Sequence, residues 1–189
     1  MASQVRARPA DTQAPEEFLS RTIENVNKLS LAKLGIKIFR EHEAIPDLIT
    51  RTHRFRAIDE ASFYSLAKDL ARLIADNLDA DAMQSIVPPP KKTKWGFLKS
   101  LENLLASKYD RELIRKMTAA LVGVYELRHA DAHLPSSKIE DAFKLINIDR
   151  SQPFVHQGCQ MLHQVVSSIY GVVEGLNRWP SENASNNAN

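Results

Sequence analysis

The sequence PFVHQGCQMLHQVVSSIYGVVEGLNR, residues 153–178, decides the fold class of this chain. Its large apolar side chains recur at intervals of three, four and seven residues, as they do on one face of an α-helix. They are Phe154, Met161, Leu162, Val165, Ile169, Val172 and Leu176. A half-buried strand would instead alternate apolar and polar residues. We therefore predict one long amphipathic helix over 153–178.

Most of the remaining chain has the same periodicity. It predicts one or two helices within 15–40 and another that begins at Pro46. Further helices are predicted over 61–77, 95–107, 110–132 and 138–147. Glycine is scarce, at 6 of 189 residues, and no stretch has the alternation of a strand. Three consecutive prolines, residues 88–90, form a surface connection. We predict an all-α fold, a bundle of about five or six helices in up-and-down style.

The length of 189 residues and the 43% hydrophobic content fit one large domain. We predict a disordered N-terminus over 1–14, a single all-α domain over 15–180, and a disordered polar tail over 181–189. Within the domain, residues 15–46 could form an added helical layer. The single cysteine, Cys159, forms no internal disulfide, and no apolar run approaches the roughly 20 residues that cross a bilayer. These features favour a cytoplasmic protein with no membrane contact.

Positive charge is concentrated in the middle of the chain. Residues 91–116 hold 8 Lys and Arg against 3 Asp and Glu, a local net charge of +5, whereas the whole chain has +2. Aromatic side chains lie among these cations, which is typical of a surface that contacts a phosphate backbone. The candidate RNA-binding residues are Lys91, Lys92, Lys94 and Trp95. A solvated helix face after a basic turn is the alternative interpretation.

The sequence YELRHADAHLPSS, residues 125–137, concentrates ionisable side chains where a predicted helix ends. Five of them fall within eight residues: Glu126, Arg128, His129, Asp131 and His133. Arg128 continues the apolar stripe of Leu121 and Val124, and a charge on a core-facing stripe needs a partner or an opening. Asp131, three residues further on, is a ready partner. The segment is either a helix-closing salt bridge or a chemical site.

Arg128, the four residues after it and His133 resemble the Arg-x(4–6)-His motif of HEPN domains. These are all-α domains of the higher eukaryotes and prokaryotes nucleotide-binding type, and many are ribonucleases of toxin–antitoxin and antiviral systems. The string LRHADAHLPSS is similar to versions of the motif in bacterial members. The similarity in architecture extends from about Asp47 to Arg178. The resemblance implies a HEPN-like endoribonuclease that acts on RNA without a metal or another cofactor.

The resemblance also implies a role for each residue of the segment. His133 would be the acid/base group for the ribose 2′-hydroxyl, Arg128 would hold the scissile phosphate, and His129 would orient the pair. Asp131 would tune His133 or brace Arg128. The expected products are a 2′,3′-cyclic phosphate and a 5′-hydroxyl. Histidine and arginine suit this chemistry, because histidine exchanges protons near neutral pH and arginine offers a fork of donors to phosphate oxygens. Family members commonly dimerise, so a homodimer is expected, with an antitoxin or other protein as a further partner.

Other interpretations of the same residues stay open. His133 could be only a helix-terminal residue that favours the negative end of the helix dipole. His129 and His133, four residues apart, could bind zinc together with Asp131, but the sequence has no second Cys/His pair and no His-Glu-x-x-His, so no metal site is predicted. No glycine-rich phosphate loop is present, which disfavours ATP-driven chemistry. The alternative functions are a non-catalytic HEPN-like module that binds nucleotide, RNA or a protein, and a plain helical interaction domain.

Overall fold

A computed structural model describes residues 14–43, 45–129 and 136–180, and this part of the chain is all-helical with eight α-helices and no named strand. The helices are α1 (Phe18–Leu34), α2 (Ile45–Arg51), α3 (Glu60–Leu73), α4 (Ala80–Ile86), α5 (Phe97–Ala106), α6 (Arg111–Leu127), α7 (Ser136–Ile146) and α8 (Phe154–Asn177). Two short 3₁₀ turns, Pro15–Glu17 and Arg54–Arg56, precede α1 and α3. The predicted all-α bundle is confirmed, but the predicted count of five or six helices is too low.

Local sequence signals fix where several helices begin and end. The carboxylate of Asp59 accepts a hydrogen bond from the Ser62 backbone N–H at 2.8 Å, and the Ser62 hydroxyl accepts from the Asp59 N–H, so α3 starts with a reciprocal cap. Asp79 and Asp110 cap α4 and α6 through single bonds of 2.9 Å. Gly35 ends α1 in the left-handed conformation, with φ of 71°.

The long helix α8 lies at the centre of the core, as the periodicity of residues 153–178 predicts. Of its apolar stripe, Phe154 is half-buried and the other six members are buried. It packs against α1, α3 and α6. Side chains of α1, including Leu19, Ile23 and Val26, belong to the same hydrophobic core as the rest of the described chain. Burial of this apolar surface is the main stabilising term of the fold.

Several predicted helices end earlier than the periodicity indicates. The helix predicted over 61–77 stops at Leu73, because the next residues pair with the segment after α1. The Arg40 N–H donates to the Asn77 carbonyl and the Asp79 N–H donates to the Ile38 carbonyl, each at 2.8 Å. The side-chain amide of Asn27 holds the same segment, since it accepts from the Phe39 N–H and donates to the Phe39 carbonyl. These tertiary bonds replace helical ones.

Three further predictions meet the structure in different ways. No helix was predicted over α4. The apolar stripe of α6 that includes Leu121 and Val124 begins at Ile114, which is buried, whereas Leu113 is 60% exposed. The predicted disordered segments, residues 1–14 and 181–189, lie outside the described residues apart from Ala14. No helix in the described ranges is long and apolar enough to cross a membrane.

Candidate functional site

The connection between α5 and α6 brings both sets of candidate residues to one end of the bundle. Only residues 107–110 join these helices, so they run antiparallel. The start of α5, directly after the Lys91–Trp95 segment, therefore lies beside the end of α6, where Arg128 is located. A groove lined by Gly96 and Phe97 on one side and by Tyr125 on the other confirms this proximity.

The guanidinium of Arg128 is held by three side chains at this end. Its Nη1 lies 2.5 Å from Oδ1 of Asp76, its Nη2 donates to the Tyr125 hydroxyl at 2.9 Å, and its Nε donates to Nε2 of His129 at 2.9 Å. The guanidinium carbon also lies 3.9 Å from the centroid of the Tyr125 ring, a cation–π contact. The Arg128 side chain is only 21% exposed. Its position is therefore fixed by charge, hydrogen bonding and stacking.

These contacts leave Arg128 with part of its hydrogen-bonding capacity. A guanidinium has five N–H donors, and three of them are used by the contacts with Asp76, Tyr125 and His129. One donor remains on each terminal nitrogen. The Asp76 carboxylate, 38% exposed, offsets the positive charge. A ligand phosphate would therefore meet an arginine that is already oriented but already paired.

Asp76 was not predicted as the partner of Arg128, because it lies 52 residues earlier in the chain. The local spacing favoured Asp131 as the partner, and both Asp131 and His133 lie outside the described residues. One signal could have pointed to Asp76. It follows the end of α3, where the helix dipole disfavours a negative charge unless a cation is close.

His129 is exposed and lies directly after the last turn of α6. Because arginine Nε always carries its proton, Nε donates and Nε2 of His129 accepts in their hydrogen bond. The ring meets Tyr125 edge to face, with centroids 6.5 Å apart. The structure thus places the Arg128 and His129 side chains in direct contact.

The Lys91–Trp95 segment forms a tight turn that directs its cations to solvent. The Thr93 N–H donates to the Pro90 carbonyl at 2.9 Å, and Lys92 has a φ of +68°. This is the pattern of a type II turn. The three lysines of this segment, which we call the lysine turn, are Lys91, Lys92 and Lys94. They are exposed and form no ion pair with any described residue. Trp95 is half-buried.

Other cations of the basic segment are neutralised locally by Glu102. This carboxylate, 13% exposed, lies 2.8 Å from Lys99 Nζ, 3.1 Å from Arg111 Nη1 and 3.2 Å from Arg115 Nε. Burial raises the pKa of Glu102, but the hydrogen bonds and positive charges of Lys99 and Arg115 outweigh burial and lower it. For these three cations the solvated-face alternative describes the structure well. Uncompensated charge remains at the turn and at two exposed lysines, Lys108 and Lys116, which form no ion pair with a described residue.

A comparison of this chain with protein-family models, with curated proteins and with solved structures finds no match. The fold and the site therefore define the protein only by class, as an all-helical protein with an anchored arginine and a basic turn at one end of its bundle. In the described part of the chain, no three His, Cys, Asp or Glu residues are grouped so that they could hold a metal ion.

Proposed function

We propose that this chain is a HEPN-like, metal-independent endoribonuclease of the toxin or antiviral-defence type. The observation that carries the proposal is the state of Arg128, which is stacked, oriented and still has two N–H donors, at the same end of the bundle as an uncompensated lysine turn. An oriented arginine fork binds phosphate oxygens with little loss of side-chain entropy. The lysines supply the non-specific attraction that any RNA backbone requires.

In this proposal each residue has one chemical task. His133 takes the proton of the ribose 2′-hydroxyl, and the oxygen attacks the adjacent phosphorus. Arg128 stabilises the negative charge that develops on the phosphate oxygens. His129 orients Arg128 through the hydrogen bond to Nε, and Asp131 tunes His133. The bond from phosphorus to the 5′-oxygen breaks, and this oxygen takes up a proton from the protonated His133 or from water, which leaves a 2′,3′-cyclic phosphate and a 5′-hydroxyl. A homodimer would place two such motifs along one cleft, and an antitoxin or other protein would be a further partner.

A non-catalytic HEPN-like module that binds nucleotide, RNA or a protein is the second candidate. It is favoured by the ion pair between Arg128 and Asp76, because an arginine held by several protein partners can serve the fold alone. The two candidates differ in what the loss of Arg128 does. A purely structural arginine affects stability first, whereas a phosphate-binding arginine affects turnover first.

The test is cleavage of single-stranded RNA in EDTA by the purified protein. His133→Ala and Arg128→Ala should each abolish cleavage while helicity is retained. Arg128→Ala should lower the melting temperature modestly, because it loses the ion pair with Asp76. Arg150→Ala is the matched control, because Arg150 also stacks on an aromatic ring, Phe143, but outside the site. His163→Ala is an exposed histidine control. RNA that stays intact with the wild-type protein, or cleavage that survives His133→Ala, refutes the nuclease.

A further inference from the structure

The groove between α5 and α6 has the size and walls of a site for one flat ligand. It measures about 330 Å³, at the lower end of the range for small-molecule pockets. Apolar and aromatic side chains form much of its lining: Phe97, Leu98, Val122 and Tyr125. All four are half-buried, so each has surface left to contact a ligand. Ring-shaped ligands gain most from such walls, because they stack on aromatic faces.

Both aromatic rings of the groove carry an arginine. The Arg128 guanidinium lies over Tyr125 at 3.9 Å, and the Arg40 guanidinium lies over Phe97 at 5.4 Å from the ring centroid. Arg40 is exposed, and no described residue forms an ion pair with it. The lysine turn ends one residue before Gly96, which also lines the groove. Neither arginine is among the residues that line the groove, so their positive charge lies around its rim, next to the aromatic lining.

Carboxylates line the same groove, and they decide which part of a ligand enters it. Glu102 is neutralised by three cations, but Glu126 forms no ion pair within the described ranges and would repel a phosphate. An uncharged base can lie inside the groove beside Glu126, while the phosphates of the RNA backbone contact the arginines and lysines of the rim. This arrangement keeps the phosphates away from the carboxylate. Glu126 can accept a hydrogen bond from an amino group of such a base.

We propose that this groove binds one unpaired base of single-stranded RNA, beside Tyr125 and Phe97, and places the neighbouring phosphate at Arg128. The inference rests on the proposed RNA substrate and adds a subsite that the Arg-x(4)-His segment does not contain. Stacking on aromatic residues tolerates different bases but requires that the base be unpaired. The site therefore selects single strands and loops over duplexes.

The experiment fills the groove with a large side chain and leaves both stacked pairs, Arg128 with Tyr125 and Arg40 with Phe97, unsubstituted. Val122→Trp places a large side chain on the α6 wall, and Val155→Trp is the matched control, since Val155 is also half-buried on a helix but lies at the start of α8. Fluorescence anisotropy with a labelled 12-nucleotide single-stranded RNA measures affinity. We expect Val122→Trp to weaken binding about tenfold or more, Val155→Trp to leave it unchanged, and a duplex of the same sequence to compete poorly.

The outcomes separate this inference from the nuclease proposal. Binding by Val122→Trp at wild-type affinity, equal competition by the duplex, or no RNA binding by the wild type overturns the groove, whether or not RNA is cleaved. Groove-dependent binding without cleavage supports the groove and refutes the nuclease. Far-ultraviolet circular dichroism checks that Val122→Trp is folded. If this variant is unfolded, Leu98→Ala takes its place and should also weaken RNA binding, because it removes part of the groove wall.

Discussion

The ion pair between Arg128 and Asp76 can be tested by one isosteric change, Asp76→Asn. The substitution keeps the Oδ1 acceptor 2.5 Å from Nη1 but removes the negative charge. The amide oxygen would still accept a hydrogen bond from the charged guanidinium, so the substitution removes only the attraction between two full charges. Because Asp76 is 38% exposed, solvent screens this attraction, which is worth about 0.2–1 kcal/mol in exposed pairs. We expect the free energy of unfolding to fall by about 0.5–1 kcal/mol, which lowers the melting temperature by roughly 1–4 °C.

Urea denaturation of four proteins checks this value as a double-mutant cycle. They are the wild type, Asp76→Asn, Arg128→Ala and the double variant. If the stabilisation comes from this pair, Asp76→Asn should have almost no effect once Arg128 is alanine. The same four proteins should show the functional effect, since Asp76 competes with RNA phosphate for Arg128. Affinity for single-stranded RNA should rise two- to fivefold in Asp76→Asn. Additive effects on stability, or an affinity that falls to the level of Arg128→Ala, would refute this reasoning.

Three further predictions concern packing, pH and salt. Gly123→Ala should lower the free energy of unfolding by about 1–3 kcal/mol in a melt, because its Cβ would lie 2.5 Å from Ile146 Cγ1 and 2.7 Å from the Ala142 carbonyl; unchanged stability would contradict this close packing. Glu102 has a lowered pKa in the folded state, so its stabilisation is present above the ordinary value of 4.5 and is lost as pH falls through the folded pKa. The difference in free energy of unfolding between the wild type and Glu102→Gln, measured by urea denaturation, should therefore be constant from pH 7 to 5 and shrink toward pH 3. A difference that stays constant down to pH 3 refutes this role of the Glu102 charge. Replacing Lys91, Lys92 and Lys94 of the turn with glutamine should weaken RNA binding and reduce the slope of log affinity against log salt concentration by about 2. An unchanged slope would show that these lysines do not contact RNA phosphates.

Periodicity predicted the helices whose apolar stripe is long. Helix α8 runs over Phe154–Asn177, within one residue of the prediction at each end, and α7 and α5 differ by two residues or fewer. Helix α4 was missed because its seven residues hold too few apolar positions to show a period. The end of α3 was misplaced because the backbone of residues 74–79 bonds to the segment after α1, and no local signal carries that information.

The candidate site was predictable in its residues more than in its contacts. The need of Arg128 for a partner follows from its place on an apolar stripe, and the structure supplies one. The identity of that partner depends on how α3 and α6 meet, which the local sequence does not encode. The groove was missed for the same reason, since Phe97 and Tyr125 belong to different helices.

The paired hydrogen bonds between Asn27 and the backbone of Phe39 have a consequence for the surroundings of the proposed RNA groove. This amide on α1 acts as a substitute for a neighbouring strand and fixes the path of the chain one residue before Arg40. The position of the Arg40 guanidinium above Phe97 therefore depends on the side chain of Asn27. A substitution at residue 27 would therefore move Arg40 relative to the proposed RNA groove, although every residue that lines the groove stays the same.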